Sequence, residues 1–103
     1  MNIQTDHLGF LADLNTWDEQ VANHLANLES IELTKHHFEV IFALREFYQT
    51  FDLSPAMRPL CKFLKTKLGT DKASSIYLMT LFGQSPAKMA AKLAGLPKPD
   101  NCL

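Results

Sequence analysis

Apolar side chains recur at spacings of three and four residues in successive segments between residues 17 and 95, and this periodicity constrains the fold more than any other feature. Such spacing places the apolar side chains on one face of a helix. The segments predict helices over residues 17–29, 35–51, 55–68, 71–82 and 86–94. Because 103 residues leave room for one small domain, we expect a mostly α, compact helical bundle of about five helices.

Polar residues, prolines and glycines mark the ends of these segments. Thr16 to Glu19 has the pattern of a capping box before the first helix, and Thr34 is placed to cap the second. Pro55 and Pro86 each suit the first position of a helix, where no backbone N–H is needed. Gly69 suits the left-handed conformation that ends many helices.

The last eight residues differ from the rest of the chain. Pro97 and Pro99 exclude a helix, so we predict that residues 96–103 form an extended, mobile C-terminal arm on a helical domain of residues 1–95. A polyproline-like chain advances about 3.1 Å per residue, so the thiol of Cys102 could reach roughly 20 Å from the last helix.

Charge is distributed unevenly although the formal net charge is only −1. Residues 1–54 hold nine acidic and two basic residues, whereas residues 55–103 hold two acidic and eight basic residues. One interpretation is that the two halves attract each other across the fold through exposed, weak ion pairs. The other is a basic face for an acidic protein or RNA phosphates, since Arg58, Lys62 and Lys65 share one helical face.

Two cysteines are the candidate reactive groups. Cys102 is the second-to-last residue of the arm. Its thiol either has a chemical function or is an incidental cysteine in a disordered chain end. Cys61 lies on an apolar stripe with Leu60 and Leu64, which predicts a buried, inert thiol. The four histidines have no metal-ligand spacing with either cysteine, so we expect neither a metal nor a cofactor.

Nothing in the sequence indicates a membrane or secreted protein. No apolar segment approaches the roughly 20 residues that a transmembrane helix needs. The first seven residues are mostly polar and include Asp6, unlike a secretory signal. We therefore expect a cytoplasmic protein.

The C-terminal residues carry a resemblance. Pro86-Ala87-Lys88, then Ala94 to Pro99, and Cys102 one residue from the end resemble the DsrC/TusE family of sulfur carriers. Further matches lie upstream, at Gly9-Phe10-Leu11, Trp17, Leu33-Thr34, His37, Arg45, Phe47-Tyr48, Ser54-Pro55, Arg58, Tyr77-Leu78 and Leu81-Phe82.

The resemblance implies a helical fold with a short N-terminal β-hairpin, and it implies that Cys102 carries sulfur as a persulfide. One branch of the family has a second cysteine eleven residues before this one, where this chain has Ala91, so the chain is similar to the TusE branch. That branch implies a TusBCD-like donor complex and an MnmA-like tRNA thiouridylase, with its tRNA, as acceptor. The same resemblance implies 2-thiouridine at the tRNA wobble position as the product.

We therefore predict Cys102 as the catalytic residue. The predicted partner-binding residues are basic: Arg45, Arg58, Lys62, Lys65 and Lys98. A competing hypothesis is a non-catalytic DsrC-like regulator or nucleic-acid-binding adaptor that uses the basic half of the chain. A carrier would lose activity in Cys102→Ser, whereas an adaptor would tolerate that change and fail when the charges of Arg58, Lys62 and Lys65 are reversed.

Overall fold

The computed structural model describes residues 2–100. This part of the chain contains five α-helices. They are α1 (Glu19–Leu28), α2 (Lys35–Phe51), α3 (Met57–Leu68), α4 (Ser75–Phe82) and α5 (Pro86–Leu93), with short 3-10 helices at Leu14–Thr16 and Thr70–Lys72. The predicted helical bundle is confirmed. Cys102, with Met1, Asn101 and Leu103, lies outside the described residues.

Helices α2 and α5 form the centre of the molecule. Val40, Ile41 and Leu44 of α2 are fully buried, and α2 packs against α3, α4 and α5. Helix α5 buries a run of alanines on its inner face, whose short side chains let neighbouring helices approach closely. Leu93 at the end of α5 is also fully buried, and since burying a leucine side chain contributes roughly 1.5–3 kcal/mol, the end of α5 is held firmly in the core.

Helix α1 begins two residues later than its sequence pattern indicates. Asp18 is the N-cap and accepts a 2.9 Å hydrogen bond from the Val21 backbone N–H. Thr16 instead closes the preceding 3-10 turn through a 2.7 Å bond to the Asp13 carbonyl. The predicted capping box at Thr16 is therefore wrong, and Trp17 adopts an extended conformation that leaves its side chain free to pack elsewhere.

Two further helix starts differ from prediction. Helix α3 begins at Met57 rather than Pro55, because the Ser54 hydroxyl donates to the Pro97 carbonyl instead of capping a helix. The predicted helix over 71–82 divides into a 3-10 turn and α4, whose N-cap is Ser74. By contrast α2 and α5 start where expected, at the Thr34 capping box and at Pro86.

The N-terminal residues fold back on themselves through a tight turn. Asp6 N–H donates to the Phe10 carbonyl at 2.8 Å, and the Asp6 carboxylate accepts from the backbone N–H groups of Phe10 and Leu8. The bonds that the carboxylate accepts, above all the one from Phe10, lower the pKa of Asp6. Within residues 2–100 the predicted β-hairpin amounts to a single antiparallel bridge, Thr5 to Leu11, with no strand on either side.

Residues 96–100 are not helical, as the prolines predict. Leu96 is nevertheless only 1% exposed and Pro99 is also buried, so the start of the arm packs against the domain. These two apolar residues anchor the start of the arm. The mobility of the arm and the division of the chain at residue 95 stay predictions.

No helix within residues 2–100 is long and apolar enough to cross a bilayer.

Candidate functional site: the base of the C-terminal arm

The arm leaves the domain through a tight helix-ending turn. Gly95 N–H donates to the Lys92 carbonyl at 3.1 Å, and Leu96 N–H donates to the Ala91 carbonyl at 3.0 Å. These two bonds, with Gly95 at φ 73°, form a Schellman motif that ends α5 and reverses the chain. The direction in which the arm leaves α5 is thus set by backbone bonds. We call residues 94–97 the arm root.

Three side chains from distant parts of the chain hold the carbonyls around this turn. Trp17 Nε1 donates to Leu93 O at 2.9 Å, Arg45 Nη1 donates to Ala94 O at 2.6 Å, and Ser54 Oγ donates to Pro97 O at 2.6 Å. The carbonyls of Leu93 and Ala94, at the C-terminal end of α5, lack intrahelical partners, so the first two bonds satisfy buried acceptors that would be costly to leave unpaired. The third bond ties the arm to the domain beyond the turn. We call Trp17, Arg45 and Ser54 the arm clamp.

Arg45 contributes charge as well as geometry. Its guanidinium carbon lies 4.1 Å from the centroid of the Trp17 ring, within cation–π range. Burial lowers the pKa of Arg45, but a guanidinium remains protonated at neutral pH. A cation is favourable beside the partial negative charge at the C-terminal end of α5. The charge of Arg45 therefore stabilises the arm root in addition to its hydrogen bond.

Gly95 is required for space as well as for its left-handed backbone. A Cβ at this position would clash with Trp17 Cδ1 and would lie 2.9 Å from Trp17 Cβ. Because Trp17 Cβ is fixed to the backbone, the indole could not withdraw by a simple rotation. Only glycine lets the Trp17 side chain cover the arm root this closely.

A small cavity of about 160 Å³ lies where the arm leaves the domain. Its lining combines the end of α2 with the arm, namely Tyr48, Asp52, Leu53, Ser54, Pro97, Lys98 and Asp100. A larger cavity of about 860 Å³ runs along the α4–α5 turn and is lined by no residue of 95–100. The small cavity is therefore adjacent to the arm, whereas the larger one is not.

The five predicted basic residues fall into separate groups. Arg45 lies in the arm clamp, whereas Lys98 is exposed on the arm itself. Arg58, Lys62 and Lys65 are exposed on the outer face of α3, and none of them forms an ion pair within the described part of the chain. We call these three residues the α3 strip.

The structure also contains ion pairs between the acidic and the basic half of the chain, as one interpretation of the charge asymmetry predicts. Three ion pairs join the acidic half to the basic half: Lys67–Glu46 at 3.1 Å, Lys72–Glu39 at 2.8 Å and Lys92–Glu29 at 3.1 Å. A hydrogen bond from Lys72 is the main reason that the pKa of Glu39 is lowered. Attraction between the halves therefore engages Lys67, Lys72 and Lys92 and leaves the α3 strip unpaired.

Cys61 is more accessible than its sequence pattern predicts. It is half-buried at the edge of the core rather than enclosed in it. Burial raises the pKa of its thiol, which keeps the nucleophilic thiolate scarce at neutral pH. Cys61 is thus poorly suited to act as a nucleophile in sulfur transfer, although part of its side chain is accessible to solvent.

Trp17 and Ser54 are functional candidates that the local sequence pattern does not reveal. The pattern assigns Trp17 to the stripe of α1 and Ser54 to a helix start. Their hydrogen-bond partners lie 76 and 43 residues away in the sequence, beyond the reach of any local pattern. Both residues occur among the positions that match the DsrC/TusE family, and this match is the sequence signal that could have identified them.

The chain is similar to known proteins over its whole length. The family model for DsrC like proteins matches residues 1–103, the whole chain. The chain belongs to this family. It is 52% identical to the sulfurtransferase TusE homolog of Haemophilus influenzae, covering 100% of this chain and 94% of that protein. It is 48% identical to the sulfurtransferase TusE of Photorhabdus laumondii, covering 98% and 91% of the two chains.

Solved structures of the DsrC-like family share the fold. The NMR structure of Allochromatium vinosum DsrC superposes with a TM-score of 0.88 at 42% identity, covering 98% of this chain and 90% of that one. The oxidized gamma-subunit of the dissimilatory sulfite reductase (DsrC) from Archaeoglobus fulgidus gives a TM-score of 0.81 at 38% identity, covering 98% and 92%. The described helices therefore have the arrangement found in these DsrC structures.

Proposed function

We propose that this DsrC-like protein is a sulfurtransferase that accepts persulfide sulfur on Cys102 and relays it to an acceptor. The observation that carries the proposal is the similarity of 46–52% identity to sulfurtransferases over 98–100% of the chain. The arm clamp supports it, because a fixed base gives a terminal thiol a defined range of positions.

The transfer needs one thiol and no external oxidant. The Cys102 thiolate attacks the outer sulfur of a donor persulfide, a new S–S bond forms on Cys102, and the donor cysteine leaves as a thiolate. An acceptor thiolate then attacks the outer sulfur of the Cys102 persulfide and releases the Cys102 thiolate. Both steps are displacements of the kind seen in thiol–disulfide exchange, so electrons balance at each step.

The helical domain contributes position rather than acid–base chemistry. Arg45 and Ser54 hold the carbonyls of the arm root, so the thiol searches only the volume that the remaining arm can reach. Tethering raises the effective concentration of the reactive sulfur at a docked partner. Lys98 and the α3 strip are placed outside the clamp, where partner surfaces have access to them.

The partners follow from the branch of the family. The position eleven residues before Cys102 is Ala91, which is fully buried in α5. The absence of a cysteine at this position favours the TusE branch, which has a single C-terminal cysteine. We assign a TusBCD-like complex as donor and an MnmA-like tRNA thiouridylase, with its tRNA, as acceptor, in the cytoplasm. The sulfur then ends in 2-thiouridine at the tRNA wobble position.

Intact mass spectrometry tests the first step. The full chain, incubated with a persulfidated donor protein and desalted, should gain about 32 Da, the mass of one sulfur atom held as a reversible persulfide. Cys102→Ser should gain nothing, and the matched control Cys61→Ser should load as the wild type does. Loading that persists in Cys102→Ser, or that disappears in Cys61→Ser, would refute the assignment of Cys102.

A further inference from the structure

Helix α3 carries positive charge that the fold does not neutralise. Its twelve residues include four basic side chains and no acidic one. Lys67 pairs with Glu46, whereas the exposed Arg58, Lys62 and Lys65 have no ion-pair partner among residues 2–100. Because Arg58 and Lys62 are four residues apart and Lys62 and Lys65 three apart, their side chains lie side by side on the outer face.

Two of the three side chains oppose the stability of the helix. Arg58 and Lys62 carry like charges four residues apart, and Arg58 lies in the first turn, where the helix dipole disfavours a cation. Lys65 lies in the last turn, where the dipole favours a cation. Three cations of the same half, Lys67, Lys72 and Lys92, pair with acids, whereas the strip places three cations without an ion pair among residues 2–100 next to one another on one helix. The α3 strip is therefore a surface that an external anion would complete.

The strip begins beside the arm. Ser54, which binds the Pro97 carbonyl, lies just before α3, and Lys98 lines the same small cavity as Ser54. From Arg58 to Lys65 the helix advances about 10 Å, so the strip is a short line of charge that leads away from the arm root. A partner bound along it would lie within reach of the arm.

The composition of the strip distinguishes between two kinds of anionic partner. Protein interfaces are built around apolar and aromatic anchors and are depleted in lysine. None of the large exposed apolar side chains of the described residues lies on α3; they are Leu8, Leu28, Phe42, Phe51, Leu53, Ile76 and Met79. Phosphate backbones are bound by lysine and arginine without such anchors.

We propose that the α3 strip binds the phosphate backbone of RNA. Arg58, Lys62 and Lys65 contact successive phosphates without reading the base sequence, and the arm extends from one end of the strip toward the bound molecule. The choice of tRNA as the RNA rests on the proposed function; the electrostatic argument for the strip does not. The protein thus contacts the RNA of its acceptor complex directly.

Fluorescence anisotropy with a labelled, unmodified tRNA transcript tests the proposal on the full-length protein. Three phosphate contacts predict that the logarithm of the association constant falls with the logarithm of the salt concentration with a slope of roughly −2 to −3. The variant Arg58→Gln/Lys62→Gln/Lys65→Gln should bind at least about tenfold more weakly at about 50 mM salt and lose most of this slope.

A matched pair of single variants separates the strip from general charge. Lys62 and Lys35 are both exposed on helices and neither forms an ion pair within the described residues. Lys62→Gln should reduce the magnitude of the salt slope by about one, whereas Lys35→Gln should leave it unchanged. Equal effects of the two variants would overturn the proposal, as would wild-type binding by the triple variant with unchanged circular dichroism.

Two further measurements distinguish other outcomes. If labelled polyglutamate binds through the strip while tRNA does not bind at the same low salt concentration, the surface serves an acidic protein and the RNA proposal is wrong. The same titration with Cys102→Ser should give the wild-type affinity, because phosphate binding needs no thiol. RNA binding and sulfur loading therefore succeed or fail independently.

Discussion

Gly95 meets two demands at one residue, a left-handed backbone and the close approach of Trp17. We predict that Gly95→Ala destabilises the protein by about 2–4 kcal/mol, since backbone strain adds to a steric clash. Gly83→Ala is the control: Gly83 has φ 89° and ψ −159°, a conformation at least as restrictive, but a Cβ added there would have no atom within 4 Å.

Urea denaturation followed by circular dichroism measures both free energies of unfolding. Gly95→Ala should cost more than Gly83→Ala, and the extra cost should shrink when Trp17→Ala is present in the same chain. If the cost of Gly95→Ala stays the same in the Trp17→Ala background, Trp17 does not crowd the arm root.

The two cysteines differ in how readily each forms a thiolate. Since burial raises the pKa of Cys61, alkylation of this residue by iodoacetamide should be slow at neutral pH and should accelerate only at a higher pH than an exposed thiol requires. Peptide mass spectrometry of briefly alkylated protein should find the label on Cys102 first. Faster labelling of Cys61 at neutral pH would contradict the protection that the structure gives it.

At the scale of elements, the arm clamp joins the region before α1, helix α2 and the α2–α3 turn to the end of α5. We predict that Ser54→Ala and Arg45→Met slow sulfur transfer to a protein acceptor several-fold, because the arm root loses its fixed direction. Arg45→Met also leaves the carbonyl of the buried Ala94 unpaired, which should cost about 1–3 kcal/mol of stability. Ser54→Ala should cost less, because Pro97 is exposed and water can reach its carbonyl.

A small nucleophile separates positioning from reactivity. Cyanide removes persulfide sulfur without docking, so its rate on loaded Ser54→Ala or Arg45→Met should equal that of the wild type. Ser75→Ala, which removes an exposed hydroxyl from α4, should change neither rate. If the cyanide reaction slows as much as protein transfer does, the clamp acts on the thiol's chemistry and the positioning role is wrong.

The elements that could be predicted from the sequence are those whose ends have local causes. Thr34 and Pro86 define the starts of α2 and α5 through short-range capping and backbone geometry. The starts of α1 and α3 differ from prediction because Trp17 and Ser54 are recruited by the arm root, far away in the sequence. The candidate role of Cys102 comes from its place in the resemblance, since spacing alone leaves a terminal thiol ambiguous.

At the scale of the whole molecule, ion pairs across the two halves neutralise part of the basic side, while the α3 strip stays open. The core places α5 at the centre, so the arm is attached to the part of the fold that is packed most fully. The molecule thus combines a firmly packed base for the arm with a charged surface beside it.

The complement of cysteines predicts the products of oxidation. With Ala91 on α5 and a half-buried Cys61, mild oxidation should join two molecules through Cys102 rather than form an internal bond. Non-reducing electrophoresis should show a dimer that is absent in Cys102→Ser and retained in Cys61→Ser. An internal Cys61–Cys102 disulfide as the main product would contradict this. It would show that the arm can bring the two Cα atoms within the roughly 7 Å that a disulfide requires.

The most direct test of the relay follows one sulfur atom through the protein. The chain is loaded from a donor persulfide that carries ³⁴S, separated from the donor, and mixed with a reduced acceptor while both intact masses are recorded. The account predicts that the label leaves this protein and appears on the acceptor in equal amount, with Cys102 returned to its free thiol. Label that stays on the protein, resides on Cys61, or reaches the acceptor equally well from Cys102→Ser would contradict the account.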